Sequence, residues 1–494
     1  MDELVGNKLL CFLSGAFHAK RRNIMACDRN ERRKIRILET QMKKPRIMIA
    51  ATASGSGKTT ITCGLLTALK QRGLKPCSFK CGPDYIDPMY HRNVLGIESG
   101  NLDTFFTEDE VTRWIYDKEY TGDISIIEGV MGLFDGVRGV EETGSSYDLA
   151  RVLNCPIILV VNAKGAGKSV VATLKGFIDY DKHKLIKGVI LNKTSKSFGK
   201  ILKPIIEQEL GVKYLGTLSD ISDINISSRH LGLYLPEEIA DIKSQLCLLG
   251  NQVEEEIDVD AILEFANRAC EDIGKAKAPK QLDTLMNSMQ SVNTIKLGVA
   301  KDEAFCFYYK ENLKLFESIG IELCFFSPIY DSNLPTGISG ILLGGGYPEN
   351  HLKELSINNQ IKNEIRLAYE NGMPIMAECG GFMYLMDEIV DSDNTAYKMV
   401  SAINGKATFT GHLVRFGYAI IDDGERKIKG HEFHYYDTDN NGSDCKATKP
   451  SSTRSWQCIH KANGGFVGFP HLYYLSNPDF IKNFVEAMKN YGGY

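Results

Sequence analysis

Arg46-Ile-Met-Ile-Ala-Ala-Thr-Ala-Ser-Gly-Ser-Gly-Lys-Thr-Thr-Ile-Thr-Cys63 decides how the rest of the chain is read. Its apolar run, 47–51, predicts a buried strand. The following segment, 59–70, carries helical apolar spacing at Ile61, Leu65, Leu66 and Leu69. Strand, glycine turn and helix in that order make a phosphate cradle. Gly55 and Gly57 let backbone N–H groups close on phosphate oxygens, and the helix N-terminus adds positive potential. Lys58 is then expected to reach the outer phosphates of ATP, and Thr59 to hold Mg2+. The strict phosphate-loop pattern has glycine where this chain has Thr52, so the loop is a variant.

Outward from this loop, residues 46–240 alternate short apolar runs with helical segments; strands are expected at 77–80, 124–128, 157–161, 188–191 and 212–216. Such alternation predicts an α/β, doubly wound parallel sheet with ligands at the C-terminal strand ends. Lys80-Cys-Gly-Pro-Asp-Tyr-Ile-Asp-Pro-Met-Tyr-His91 follows the second strand, and Glu128-Gly-Val-Met-Gly-Leu-Phe-Asp135 follows the third. Mg2+ on ATP takes hard oxygen ligands, which makes Asp84, Asp87 and Glu128 candidates beside Thr59. Asn192 ends a strand and is placed either to read the adenine edge or to form a turn. Gly165-Ala-Gly-Lys-Ser169 imitates a second phosphate loop; with Asn162 where the first glycine belongs, it reads as a turn and helix start.

Length and composition bound the remaining possibilities. A chain of 494 residues is too long for one ordinary core. With 43% hydrophobic and 24% charged residues it reads as a soluble globular protein. The balance of 58 basic and 62 acidic residues gives −4, and nothing global favours nucleic acid or membrane as a partner. Thirteen scattered cysteines without a C-x-x-C pair point to reduced thiols and a cytoplasmic setting. Residues 1–45 carry a basic cluster (Lys20, Arg21, Arg22, Arg29, Arg32, Arg33, Lys34, Arg36) and read as a loosely ordered extension, with Met42 as an alternative start. The stretch 241–293 reads as one helix around 261–270 followed by an interdomain linker.

A second α/β alternation occupies 294–494, with strands expected at 295–300, 322–326, 340–343 and 374–377, helices at 311–319 and 359–370, short glycine-punctuated strands over 395–436 and a last helix at 479–490. Ala377-Glu-Cys-Gly-Gly-Phe-Met-Tyr-Leu385 sets one cysteine between strand and helix. That is nucleophile-elbow geometry: Cys379 is exposed by a sharp turn, Gly380 N–H faces an oxyanion, and the helix N-terminus is expected to lower the thiol pKa. Gly345 and Gly346, after an adjacent strand, are further oxyanion donors. The thiol needs a base, and the sequence leaves His412, His431, His434, His460 and His471 open.

Together these runs resemble one family. Lys80 to Pro88, Glu128 to Gly136, Arg229-His-Leu-Gly-Leu233, Asp302-Glu-Ala-Phe-Cys-Phe-Tyr-Tyr309, Gly344-Gly-Gly-Tyr-Pro-Glu349, Glu378-Cys-Gly-Gly381 and Gly430-His-Glu-Phe-His434 are similar to motifs of the cobyrinate a,c-diamide synthase family. The resemblance covers the chain from Arg46 onward. It implies a dethiobiotin-synthetase-like P-loop domain with a parallel sheet, followed by a class I glutamine amidotransferase-like α/β domain. It implies Cys379 as glutaminase nucleophile and His471 as the residue that activates it. The family has no clear glutamate two residues after that histidine, and Tyr473 stands there in this chain, so a Cys-His pair is expected. The implied partners are ATP, L-glutamine and cobyrinate or a related tetrapyrrole, with a homodimer as a candidate assembly. The alternatives are nickel-sirohydrochlorin as acceptor, or a regulatory P-loop ATPase with an inert appendage. The latter class carries a lysine early in its loop, where this chain has Ala53.

Overall fold

Apolar runs bordered by glycine turns become two sheets, one wholly parallel and one parallel except at one edge. The computed structural model describes residues 44–219, 236–269, 273–288 and 295–492, with side chains in the second segment from 241 onward. The basic N-terminal segment and the Arg229-His-Leu-Gly-Leu233 motif lie outside the described residues. All described residues except Lys44 belong to one compact unit, Pro45–Tyr494.

In the first sheet β1 (Arg46–Ala51), wholly buried, lies between β4 (Ile124–Glu128) and β5 (Ile157–Asn162). With β2 (Pro76–Cys81), β3 (Ser99–Leu102), β6 (Ile186–Asn192) and β7 (Lys213–Leu218) the order is β3-β2-β4-β1-β5-β6-β7, every pair parallel. β3 was not expected, because Ser-Gly-Asn-Leu has no apolar pattern; its pairing to β2 on the sheet edge is backbone-made. The segment after Gly165 is the expected turn, leading into the helix Ser169–Tyr180.

The stretch read as one helix and a linker is more structured than expected. Helices Pro236–Glu256 and Val259–Arg268 bring Leu246, Leu249, Val253, Ile262 and Ala266 into the core beneath β1. Helix Leu282–Ser288 follows, with Leu282 and Leu285 buried. The first of these crosses the helix Lys58–Gln71 closely at two glycines. A Cβ on Gly64 would stand 2.6 Å from Val253 Cγ2, and one on Gly250 2.7 Å from Thr67 Cγ2. Bare glycine on each helix is what permits this approach.

The second sheet, in the order β18-β19-β11-β10-β8-β9, contains β8 (Ile295–Ala300), β9 (Ile321–Phe326), β10 (Gly340–Leu343), β11 (Ile375–Glu378), β18 (His460–Ala462) and β19 (Gly465–Gly468). A third, mixed sheet joins β12 (Met386–Val390), β13 (Ala396–Lys398), β14 (Ile403–Asp422), β15 (Lys427–Asp437) and β20 (His471–Leu472), with β16 (Cys445–Thr448) and β17 (Ser455–Cys458) alongside. The short strands expected over 395–436 are instead two long ones: β14 runs 20 residues. Its glycines at 411 (φ 74°) and 417 (φ 97°) bracket the register shifts against β15, bending a continuous strand instead of ending it. The β15–β20 pairing sets His431 opposite His471.

The crossing at Gly64 gives a stability test. Gly64→Leu forces a branched side chain into Val253 and Leu249, and thermal unfolding should show a loss of about 1–3 kcal/mol, the usual cost of overpacking.

Candidate active site

The phosphate loop is braced from two sides. The helix Lys58–Gln71 starts on Gly57, whose φ of 96° is the left-handed conformation glycine adopts freely. The amide of Asn192 occupies the space a Cβ there would need. Asn192 Nδ2 donates to Ser56 O (2.8 Å) and its Oδ1 accepts from Lys193 N (3.0 Å), so this side chain is engaged in holding the loop. Gly55, with φ 73°, has open space around it.

Beside the loop lies a buried nest of charge. Lys58 Nζ donates to Met131 O (2.5 Å); burial first, and then the neighbouring Lys80 ammonium, push its pKa down to about 8. Thr59 Oγ1 donates to Glu128 Oε1 (2.6 Å). Lys80 Nζ donates to the same oxygen (2.9 Å) and to Asp87, and lies 3.8 Å from Asp84 Oδ2. Burial works to raise Asp87, but the Lys80 ammonium outweighs it and holds that carboxyl below its usual range. Glu128 goes the other way, raised by burial and by the Asp87 charge. Behind it His91, bonded to Ser78 Oγ (3.0 Å), is pushed down to about 4 by burial and stays neutral. Asp84 Oδ1 accepts from Ile86 N (2.9 Å) and Asp87 N (3.2 Å), capping the helix Ile86–Asn93.

These residues fit the demands of Mg2+. Glu128 Oε2 is buried without a hydrogen-bond partner, and Thr59, Asp87 and Glu128 are hard oxygen donors beside the phosphate cradle. Among the described residues no three His, Cys, Asp or Glu side chains form a ready cage. Mg2+ in nucleotide sites is commonly held by one or two carboxylates together with phosphate oxygens and water, so no cage is required.

The thiol sits on a strained elbow. Cys379, 6% exposed, adopts φ 49° and ψ −105° between β11 and the helix Gly380–Leu385. A Cβ on Gly380 would lie 2.8 Å from Pro348 Cδ and 3.4 Å from Gly346 N, so both glycine loops converge beside the thiol. Gly345 instead lies flat against the His471 ring, and its carbonyl accepts from Phe307 N (2.9 Å). The expected lowering of the thiol pKa does not occur. Burial drives it well up, Glu349 and Glu432 add to the rise, and the Gly380 N–H opposes them only weakly; the six-residue helix is too short to counter this.

Among the five histidines, three are occupied elsewhere. His412 bonds Thr410 O (2.9 Å), His460 bonds Asn440 O (3.0 Å), and His434 bridges Tyr436 O (2.7 Å) and Glu432 Oε2 (2.8 Å). His431 bonds Tyr309 OH (3.1 Å), and burial holds its pKa far below the usual value. His471 stacks on His431 with ring centroids 4.9 Å apart. Its Nδ1 has no hydrogen-bond partner, and Glu378 Oε2 lies 3.8 Å away. Glu378 Oε1 accepts from Tyr474 OH (2.8 Å).

The thiol elbow and the loop after β2 line one cavity of about 940 Å³. Cys379, Gly380, Gly346 and His471 line one part; Asp84, Tyr85 and Met131, whose carbonyl holds Lys58, line another.

Known proteins place this arrangement. Residues 47–233 match the model of the CobQ/CobB/MinD/ParA nucleotide binding domain, and residues 296–468 that of the CobB/CobQ-like glutamine amidotransferase domain. The cobyrinate a,c-diamide synthases of Dehalococcoides mccartyi and Priestia megaterium are each 36% identical to the chain; both alignments span 91% of it and, respectively, 99% and 98% of the relative. That of Picrophilus torridus is 35% identical over 91% of this chain and 100% of its own. The chain belongs to the cobyrinate a,c-diamide synthase family. Among solved structures, PurLQS from Thermotoga maritima aligns with 40% of this chain and 99% of its own at 16% identity and a TM-score of 0.28, too low to carry an argument.

Several residues of this family member's site escaped the sequence reading. Lys80 was only the first letter of a motif, yet its ammonium gathers three carboxylates from two loops. Glu378 precedes the nucleophile directly, where nothing in a linear pattern says it lies beside a residue 93 positions on. Tyr85 lies between two predicted ligands and instead packs on Phe307, His431 and His471.

The Lys58 shift has a pH signature. The phosphate pairing expected of Lys58 needs its charged form, which is lost in the free enzyme as pH rises through about 8. The KM for ATP in an ammonia-driven assay should climb above that pH, and Lys58→Arg should keep its own KM flat to higher pH.

Proposed function

We propose that the chain carries out ATP-dependent, glutamine-using amidation of the a and c side-chain carboxylates of cobyrinate, a step of cobalamin biosynthesis. Membership of the cobyrinate a,c-diamide synthase family supports the reaction, and the observation that carries the division of labour is the shared cavity. The thiol elbow opens into it at one place and the Asp84–Tyr85 loop and Met131 at another.

In this reading Cys379 attacks the side-chain amide of glutamine. Because burial and nearby carboxylates hold the thiol protonated, the proton must pass to His471 as the bond forms. Glu378, next to Nδ1, orients that imidazole and offsets its charge, in the place of the glutamate that position 473 lacks. The N–H groups of Gly380 and Gly346 face the oxyanion, and Gly345 makes room for the His471 ring. Collapse of the tetrahedral intermediate, with His471 returning the proton to nitrogen, breaks the C–N bond to give the thioester and ammonia; water then hydrolyses the thioester to glutamate and frees the thiol. In the nucleotide-binding half Gly55 and Gly57 shape the loop for ATP, Lys58 pairs with its outer phosphates, and Asn192 keeps the loop in form. Thr59, Asp87 and Glu128 would hold Mg2+, with Asp84 at the edge of the set; the cation would neutralise charge on the transferring phosphoryl group. The acceptor carboxylate, once phosphorylated, loses phosphate to ammonia and becomes an amide. Two rounds give the a,c-diamide.

Incubation with ATP, Mg2+, glutamine and cobyrinate, read by mass, tests the whole. Cys379→Ala should abolish glutamine-dependent turnover and spare ammonia-dependent turnover, whereas Lys58→Ala should remove both. Loss of both with Cys379→Ala would refute separate sites.

A further substitution isolates the orienting carboxylate. Glu378→Gln should cut glutamine-dependent kcat by about a hundredfold, with little change in KM for glutamine, and displace the pH profile of glutamate release. An unaltered profile would mean that His471 works without it.

A further inference from the structure

The part of the cavity lined by β14 and β15 has a chemistry that neither glutamine nor ATP explains. On β15, Phe433 and Tyr435 are two residues apart and share one face, while Glu432, His434 and Tyr436 turn inward. Phe416 of β14 stands beside them, its ring 5.4 Å from that of Phe433, which in turn is 6.3 Å from that of Tyr435. These three rings are 56%, 52% and 42% exposed, and all three line the cavity. A contiguous row of exposed rings facing a cavity is an interaction surface and not a packing remnant.

Its border is cationic. Arg138 and Arg454 line the same cavity, both exposed. Arg138 gives one N–H to Ser451 O (2.7 Å), which ties the two lip loops together and leaves the rest of its fork available. Arg454 pairs with no carboxylate among the described residues. Lys449 lies beneath, donating to the carbonyls of Arg415 (2.6 Å), Phe416 (2.6 Å), Gly417 (3.0 Å) and Tyr418 (3.1 Å), so it frames the hairpin on which the rings stand.

A flat, largely apolar ring bearing peripheral carboxylates fits this combination: rings for its face, guanidinium forks for its edge. We propose that the β14–β15 hairpin seats the acceptor macrocycle, its face on Phe416, Phe433 and Tyr435 and its peripheral carboxylates on Arg138 and Arg454. The inference rests on the tetrapyrrole reading above and adds to it which wall binds the ring. A macrocycle seated there shares the cavity with Asp84, Met131 and Cys379.

The test uses the full chain, cobyrinate as probe, and ammonia as nitrogen donor so that the thiol plays no part. Phe433→Ala should raise both the Kd read from the macrocycle's absorbance and the KM for cobyrinate by about tenfold, with kcat and the KM for ATP little changed, and Phe433→Trp should restore them. Arg454→Gln should raise the KM and flatten its dependence on salt. Because Phe433 and Arg454 are exposed, neither change removes core packing, and thermal unfolding verifies the fold. Unchanged Kd and KM in both variants of an enzyme whose wild type amidates cobyrinate would overturn this assignment alone. So would a shift of Phe433→Ala from dimer to monomer by light scattering with unchanged KM, which would make the ring row a contact between copies. A wild type that binds no tetrapyrrole would overturn the functional reading and this inference with it.

Discussion

Tyr85 lies nearly parallel to Phe307 at 5.0 Å, tilts onto Tyr309 at 4.6 Å, and meets His471 at 5.3 Å. It belongs to the loop that carries Asp84 and Asp87, whereas its neighbours belong to the amidotransferase half. Around it Phe106 stacks on Tyr473 at 4.9 Å and Phe105 tilts on Tyr418 at 4.4 Å. Each such pair is worth about 0.5–1.5 kcal/mol beyond its buried area, so the row is a substantial join. Polar contacts fix its register: Tyr418 OH donates to Asp103 (2.7 Å), Lys429 Nζ to Phe105 O (2.6 Å) and Asn101 N to Glu311 (3.0 Å). This seam makes one cavity out of two sites. Were the sheets to slide by a ring's width, the thiol and the Asp84–Tyr85 loop would no longer line one cavity.

The two sites handle burial in opposite ways. Near the phosphate loop, Lys80 compensates carboxylates that would otherwise be too costly to ionise, and leaves one oxygen of Glu128 open. Near the thiol the balance differs: Arg415 pairs with Glu432 (3.0 Å), Glu349 is pushed up to about 7 by burial, and burial drives the thiol up as well. The first cluster is therefore charged, while burial keeps the thiol in its neutral form. That difference keeps a reactive thiolate from standing exposed to a cavity that also admits other ligands.

Much of the architecture was readable from local pattern. The strands at 124–128, 295–300 and 340–343 fall where the apolar runs end, because a strand buried on both faces is written as a continuous apolar run. The phosphate loop and thiol elbow were readable for a related reason: both are single turns whose glycines adjoin the working residue. β3 was not, since an edge strand made by backbone pairing needs no apolar signature. The length of β14 was hidden by glycines that mark bends as well as ends. Of the helices after Pro236, Val259–Arg268 was legible, whereas Pro236–Glu256 was hidden because its buried residues lie among charged and polar ones.

What the sequence determined by itself was the class of chemistry: a phosphate-binding loop, a cysteine elbow and oxygen ligands at strand ends, each encoded within a dozen residues. Which histidine lines a cavity with the thiol, which carboxylate lies beside that histidine, and which lysine gathers the acids were decided only by the tertiary structure. The physical reason is distance along the chain. His471, Glu378 and Tyr85 meet because β15 pairs with β20 and two sheets close over an aromatic seam, and no local pattern records a contact made by folding across hundreds of residues.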